Sequence, residues 1–230
     1  MRILLVLFLL FFSLVDQSIG DNRSQNGQNP PSAAVPAKPT AMQVEVEALS
    51  EYAGDIYDLA KVNRWNKIRR KLDELKRSEK SLTLMRNEEN DFFSQRLRKK
   101  IEDLEQAVSA RNRKDTLHFA NSITLLEVAM VGQFKPRVPS NVMLLGYCGR
   151  ELEIFSEEKD IEKLSNFVIR MHLIWQNLIP QLIQIGETKE IKNFAEIMKR
   201  LEIAKTPEEY NRLAKQVLDE VEHLEKVFKK

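Results

Sequence analysis

Apolar residues recur every three or four positions from about residue 41 to the end of the chain. Such spacing places them along one face of an α-helix. The clearest run is spaced strictly 3-4-3-4 and consists of Ile161, Leu164, Val168, Met171, Trp175, Leu178, Leu182 and Ile185. Charged residues make up 30% of the chain and only seven residues are glycine, a composition typical of helical proteins. The sequence therefore predicts an all-α fold, with a kink or a break at Pro180 inside this run.

Prolines and capping residues divide this region into eight predicted helices. Thr206, Pro207 and Glu209 form a strong helix start, because they provide a cap, a proline at the first helical position and a capping-box acid. Asn112 and Asp115 form a weaker version of the same start. The predicted spans are 42–61, 64–86, 89–110, 113–132, 141–157, 161–185, 189–204 and 207–229.

The second half of the helical region resembles the first at a spacing of about 95 residues. Tyr52-Ala53-Gly54 recurs as Tyr147-Cys148-Gly149, and the apolar positions of the later helices match at similar offsets. We therefore predict two sequence-related four-helix units, residues 41–134 and residues 141–230, packed in tandem. Two separate bundles and one layered array of helical hairpins both fit this pattern.

A glycine inside a helix costs about 0.5–1 kcal/mol relative to alanine. A glycine at the same place in both halves therefore needs a reason, and a close helix crossing at Gly54 and at Gly149 would supply one. Cys148 is the only cysteine, so a disulfide within one chain is excluded. We expect Cys148 to be a small buried apolar residue rather than a reactive thiol.

The N-terminus has the layout of an export signal. Residues 1–20 contain Arg2, an apolar run over 3–15 and a Ser-Ile-Gly cleavage site, which is typical of a signal peptide. The apolar run is shorter than the roughly 20 residues of a membrane-spanning helix, so we predict no membrane span in the mature chain. Residues 21–40 hold four of the eight prolines and predict a disordered Pro-rich linker. The protein is thus expected to be extracytoplasmic, either periplasmic or secreted.

Two acid-x-x-His pairs are weak candidates for a metal site. Asp115 with His118 and Glu220 with His223 each place an acid one helical turn from a histidine. A di-iron carboxylate bundle needs two such pairs and a glutamate from each of two other helices. The other half has no matching histidine at either position, so no metal site is predicted. A haem held by histidine and methionine is a weaker alternative.

No other motif points to chemistry. The sequence contains neither a Gly-rich phosphate loop nor a Gly-x-Ser-x-Gly nucleophile motif, so we expect a non-catalytic protein without a cofactor. The net charge of +2 gives no reason to expect nucleic acid as a partner. The expected function is a protein-binding or scaffold module of the cell envelope or extracellular space. The alternative is a carrier or sensor of a small apolar ligand, a metal or haem, for which an apolar cleft between the halves would be the natural site.

Overall fold

The computed structural model describes residues 40–86, 92–131 and 136–229, and within these ranges the chain forms eight helices and no strand. The all-α prediction is confirmed. The helices are α1 (Ala41–Lys61), α2 (Trp65–Arg86), α3 (Phe92–Ser109), α4 (Arg113–Val131), α5 (Ser140–Glu158), α6 (Ile161–Gln184), α7 (Thr188–Ile203) and α8 (Pro207–Lys229). Except at the start of α3, every predicted boundary lies within one residue of the observed one.

The predicted signal peptide and nearly all of the predicted linker lie outside the described residues. Thr40, placed in the linker by the sequence prediction, is instead the N-cap of α1. Its hydroxyl accepts from the backbone N–H of Gln43 at 3.2 Å, and its own N–H donates to the Gln43 side chain at 2.7 Å. This is a capping box that the sequence prediction missed. None of the helices in the described part of the chain is long and apolar enough to cross a membrane.

The helices pack in two groups. In the first group, α1 and α3 each contact α2 and α4. In the second group, α5 and α7 each contact α6 and α8. Helices α4 and α5 pack against each other and join the first group (α1–α4) to the second (α5–α8). Each group contains its own cluster of buried apolar side chains, and Ile154 of α5 belongs to the cluster of the first group.

The apolar run of α6 forms most of the core face that the spacing predicts. Its six inner members are buried, whereas Ile161 and Ile185 are exposed because they stand at the first residue and the C-cap of the helix. Of the two alternatives predicted at Pro180, a kink or a break, the break is wrong, since α6 continues to Gln184. Pro180 itself is exposed, so water can satisfy the carbonyl group left without a donor, while Leu178 and Leu182 are buried on either side.

Both predicted helix starts are confirmed. Thr206 Oγ1 accepts from the backbone N–H of Glu209 at 3.3 Å, and Glu209 accepts from the N–H of Thr206 at 3.1 Å. Asn112 Oδ1 accepts from the backbone N–H of Asp115 at 3.2 Å. Local sequence therefore fixes where α8 and α4 begin.

The two repeated glycines have different neighbours. A Cβ atom on Gly149 would lie 2.8 Å from the side chain of Leu218, so α5 and α8 cross closely there, as predicted. The prediction is wrong at Gly54, where the nearest atom to such a Cβ is the guanidinium of Arg150, at 3.3 Å. Cys148 is buried, so the prediction that it is a core residue is confirmed. Burial also raises the pKa of its thiol far above the usual value.

Candidate functional site

A buried carboxylate ties α1 to α5. The hydroxyl of Tyr57 donates to Glu153 Oε2 at 2.9 Å, and Lys61 Nζ lies 2.7 and 2.8 Å from the two carboxylate oxygens. Burial and the negative charge of Glu153 raise the pKa of Tyr57 far above its usual value, so the phenol keeps its proton. Glu153 is almost fully buried yet paired through both oxygens, which is the condition for a buried charge to be tolerated.

A second buried polar contact joins α4 to α5. Asn121 Nδ2 donates to Glu151 Oε1 at 2.8 Å and to the backbone carbonyl of Tyr147 at 3.1 Å. Both Asn121 and Glu151 are buried. Burial raises the pKa of Glu151, and the hydrogen bond from Asn121 opposes that rise. Together, the Tyr57–Glu153–Lys61 and Asn121–Glu151 contacts form what we call the polar junction between the two helix groups.

A charged cleft lies at the edge of the polar junction. It has a volume of about 320 Å³ and is lined by Lys114, Leu117, Ile154, Glu157 and Glu158. Arg113 binds Glu157 through two hydrogen bonds, of 2.5 and 2.9 Å, which hold the pKa of that carboxyl below its usual value. Leu117 and Ile154 contribute apolar surface to this cleft, and the three charged side chains stand beside them.

Two of the four weak metal-ligand candidates, Asp115 and His118, have other partners, whereas Glu220 and His223 pair with each other. Asp115 accepts from Asn112 Nδ2 at 2.6 Å, and His118 Nε2 lies 2.6 Å from Glu158 Oε1. Glu220 and His223 form a pair on α8 with 3.6 Å between Oε2 and Nδ1. In the described part of the chain, no group of three histidine, cysteine, aspartate or glutamate residues could hold a metal ion.

Glu127 of α4 is a buried carboxylate that sequence reasoning missed. Only 4% of its surface is exposed, and Oε2 has no hydrogen-bond partner. Burial is the main cause that raises its pKa to about 8, and the negative charges of Glu47 and Glu225 also raise it. A hydrogen bond with Ser50 of α1 and the positive charge of Arg150 act in the opposite direction. Its position inside the apolar run Ile123 to Met130 is the signal that could have found it.

The surface of α6 that points away from its core face is apolar. Ile169, Leu173 and Ile183 are 61%, 54% and 61% exposed, and Pro180 is exposed between them. No lysine, arginine, aspartate or glutamate occurs in the sixteen residues 171–186. We call the surface formed by Ile169, Leu173, Gln176, Pro180 and Ile183 the outer face of α6. Sequence reasoning found only the core stripe of this helix, although the missing charges were visible.

Comparison with known proteins gives no family model that matches this chain, and no curated protein or solved structure with significant similarity to it. The functional argument therefore rests on the chain's own residues.

Proposed function

We propose that this chain is an exported, non-catalytic helical protein that serves as a protein-binding or scaffold module of the cell envelope or extracellular space. The observation that carries the proposal is the outer face of α6, where large aliphatic side chains are exposed on a helix surface free of fixed charge. Single exposed aliphatic residues are ordinary on soluble proteins, but several along one face mark an interaction site.

The composition of this face favours a protein as the ligand. The centres of protein interfaces are depleted of charged residues, and their small polar component comes from groups that can pair across the interface. The outer face of α6 combines aliphatic residues with the neutral amide of Gln176. A small apolar ligand in the cleft beside the polar junction would contact Leu117 and Ile154 but would also remove water from Lys114, Glu157 and Glu158, which is costly.

The two helix groups support a scaffold role. We propose that they are two sequence-related units in tandem, residues 41–134 and 141–230, because the two groups repeat the same pattern of helix contacts and each has its own apolar cluster. The polar junction would hold these units in one relative position. The proposed signal peptide, residues 1–20, would export the units, and the proposed linker, now residues 21–39, would keep them clear of a membrane or cell wall.

The test is capture of partners from the native envelope or culture fluid by the purified protein. We expect a partner to be retained by wild type and by the control Val62→Lys, whose site is exposed like Leu173 but lies just beyond the end of α1. Leu173→Lys should lose it, since a charge in an apolar interface has no partner there. Equal capture by both variants, or a stoichiometric small molecule in native mass spectrometry with no protein partner, would contradict the proposal.

A further inference from the structure

The outer face of α6 has the spacing of a coiled-coil seam. Its residues, Ile169, Leu173, Gln176, Pro180 and Ile183, follow one another at intervals of 4, 3, 4 and 3. That spacing averages 3.5 residues, which is the period that keeps a stripe in contact with a second helix. Because the buried stripe of α6 already packs inside the second helix group, this exposed stripe is left on the surface, where a helix from another molecule could contact it.

The stripe is also nearly symmetric about its centre. Ile169 and Ile183 each lie seven residues from Gln176, or about 10 Å along the helix axis. Leu173 precedes Gln176 by three residues and Pro180 follows it by four. An antiparallel copy of the same stripe would therefore place Ile169 opposite Ile183 of the second copy, and Leu173 opposite its Pro180 with an offset of about 1.5 Å.

From this symmetry we infer that the outer face of α6 pairs with the same face of a second copy of this chain, antiparallel around a two-fold axis at Gln176. Such an isologous contact is the commonest way in which soluble proteins form dimers. The two Gln176 amides, whose Nε2 atoms each lie 2.9 Å from His172 Nε2 of the same copy, would meet at the axis, where a polar residue in an apolar seam fixes the register. The inference deepens the proposed function, because it names the partner of the same face.

Charge and area both fit this occupant. Two-fold pairing places like residues of the two copies near each other at the axis, which is costly for a charged face, and residues 171–186 carry no fixed charge. The exposed aliphatic side chains present on the order of 300 Å². Stable dimers bury about 600 Å² or more per copy, so Pro180 and the neighbouring amides must supply the rest of the contact, and we expect a weak dimer.

The first experiment is sedimentation velocity of the purified protein from 1 to 200 μM. We expect wild type and the control Val62→Lys to dimerise, and Ile169→Lys and Ile183→Glu each to weaken the dimer at least tenfold. Because residue 169 lies opposite residue 183 of the second copy, the double variant I169K/I183E should regain most of the lost affinity, whereas I169K/I183K should not. Each variant is first compared with wild type by circular dichroism and thermal unfolding.

Cysteine crosslinking tests the position of the two-fold axis without placing a charge in the dimer contact. Cys148 is the only native cysteine and is buried, so a single introduced cysteine reports its own surroundings. We expect Gln176→Cys to form a disulfide-linked dimer readily under mild oxidation. The control Ser165→Cys lies on the exposed surface of the same helix but eleven residues from the axis, so its two copies would be about 33 Å apart and should not crosslink.

The outcomes separate the two proposals. A monomeric wild type at 200 μM, or an I169K/I183E variant no better than I169K/I183K, overturns the pairing of two copies. If Leu173→Lys still abolishes the capture of a different protein, the proposed function remains supported. Association that survives in all α6 variants would place the contact elsewhere in the chain, including residues 1–39, and would also overturn this inference.

Discussion

Replacing Glu127 by glutamine should make the protein more stable at alkaline pH. The buried carboxyl has a pKa of about 8, against an ordinary value of 4.5. Between these two values the folded protein keeps a proton that the unfolded chain releases. The free energy of unfolding must therefore fall as pH rises through this window, with no contribution from Glu127 below pH 4.5.

The size of the effect follows from the width of the window, which is about three and a half pKa units. Each unit corresponds to about 1.4 kcal/mol, so the cost is on the order of 4 kcal/mol at pH 8, where the buried carboxyl is half ionised. Glutamine is neutral and can still accept the hydrogen bond from Ser50. Glu127→Gln should therefore match wild type near pH 5 and exceed its stability by several kcal/mol near pH 8. Because burial also raises the pKa of Glu151, part of the slope should remain in the variant.

The assay is urea-induced unfolding followed by circular dichroism at pH 5.0, 6.5 and 8.0. The matched control is Glu102→Gln, which changes an exposed glutamate of α3 and should leave the slope of wild type intact. The reasoning is refuted if the stability of wild type does not decrease from pH 5 to pH 8. It is refuted equally if the Glu127→Gln variant loses stability as steeply as the control.

Three further predictions concern packing, the polar junction and export. Gly149→Ala should lower the melting temperature by about 3–6 °C, because the added Cβ would press on Leu218 of α8. Gly54→Ala should change the melting temperature by less than about 2 °C, since the Arg150 guanidinium can move aside. Equal shifts of the two variants in calorimetry would contradict this difference. Tyr57→Phe should lower the free energy of unfolding in urea by about 1 kcal/mol. Glu153→Ala should lower it two to three times as much, because it leaves the donors of Tyr57 and Lys61 unpaired. The reverse order would show that the carboxylate is not the centre of this contact. The intact mass of protein purified after export should correspond to a chain beginning at Asp21, and a mass including Met1 would exclude cleavage.

Local signals account for how closely the helix boundaries were predicted. A cap such as Thr206, a proline at the first helical position and a change in apolar spacing all act within one or two turns, so they can be read from the sequence. Pro180 shows the limit of such rules. It predicts a break locally, but the buried residues on both sides keep the helix continuous.

Partners that are distant in the sequence account for what could not be predicted. Tyr57 meets Glu153 across 96 residues, and Asn121 meets Glu151 across 30. A glutamate on a helix is usually solvated, so nothing in the sequence names the distant partners that allow Glu151 and Glu153 to be buried. Gly54 and Gly149 occupy matching positions in the sequence, yet only tertiary packing decides that one faces Arg150 and the other Leu218.

The polar junction sets how the first helix group is oriented relative to the outer face of α6. An apolar contact between α4 and α5 could slide with little penalty, whereas Asn121 and Glu151 are satisfied only in one register, and a buried unpaired carboxylate is costly. The position of α6 relative to α1 is therefore fixed through α5, against which α6 packs directly. If α6 pairs as proposed, the two-fold axis at Gln176 would orient all eight helices of both copies. Weakening the junction with Glu153→Ala should then leave the dimer affinity unchanged while loosening the first helix group, because the dimer contact lies wholly within α6.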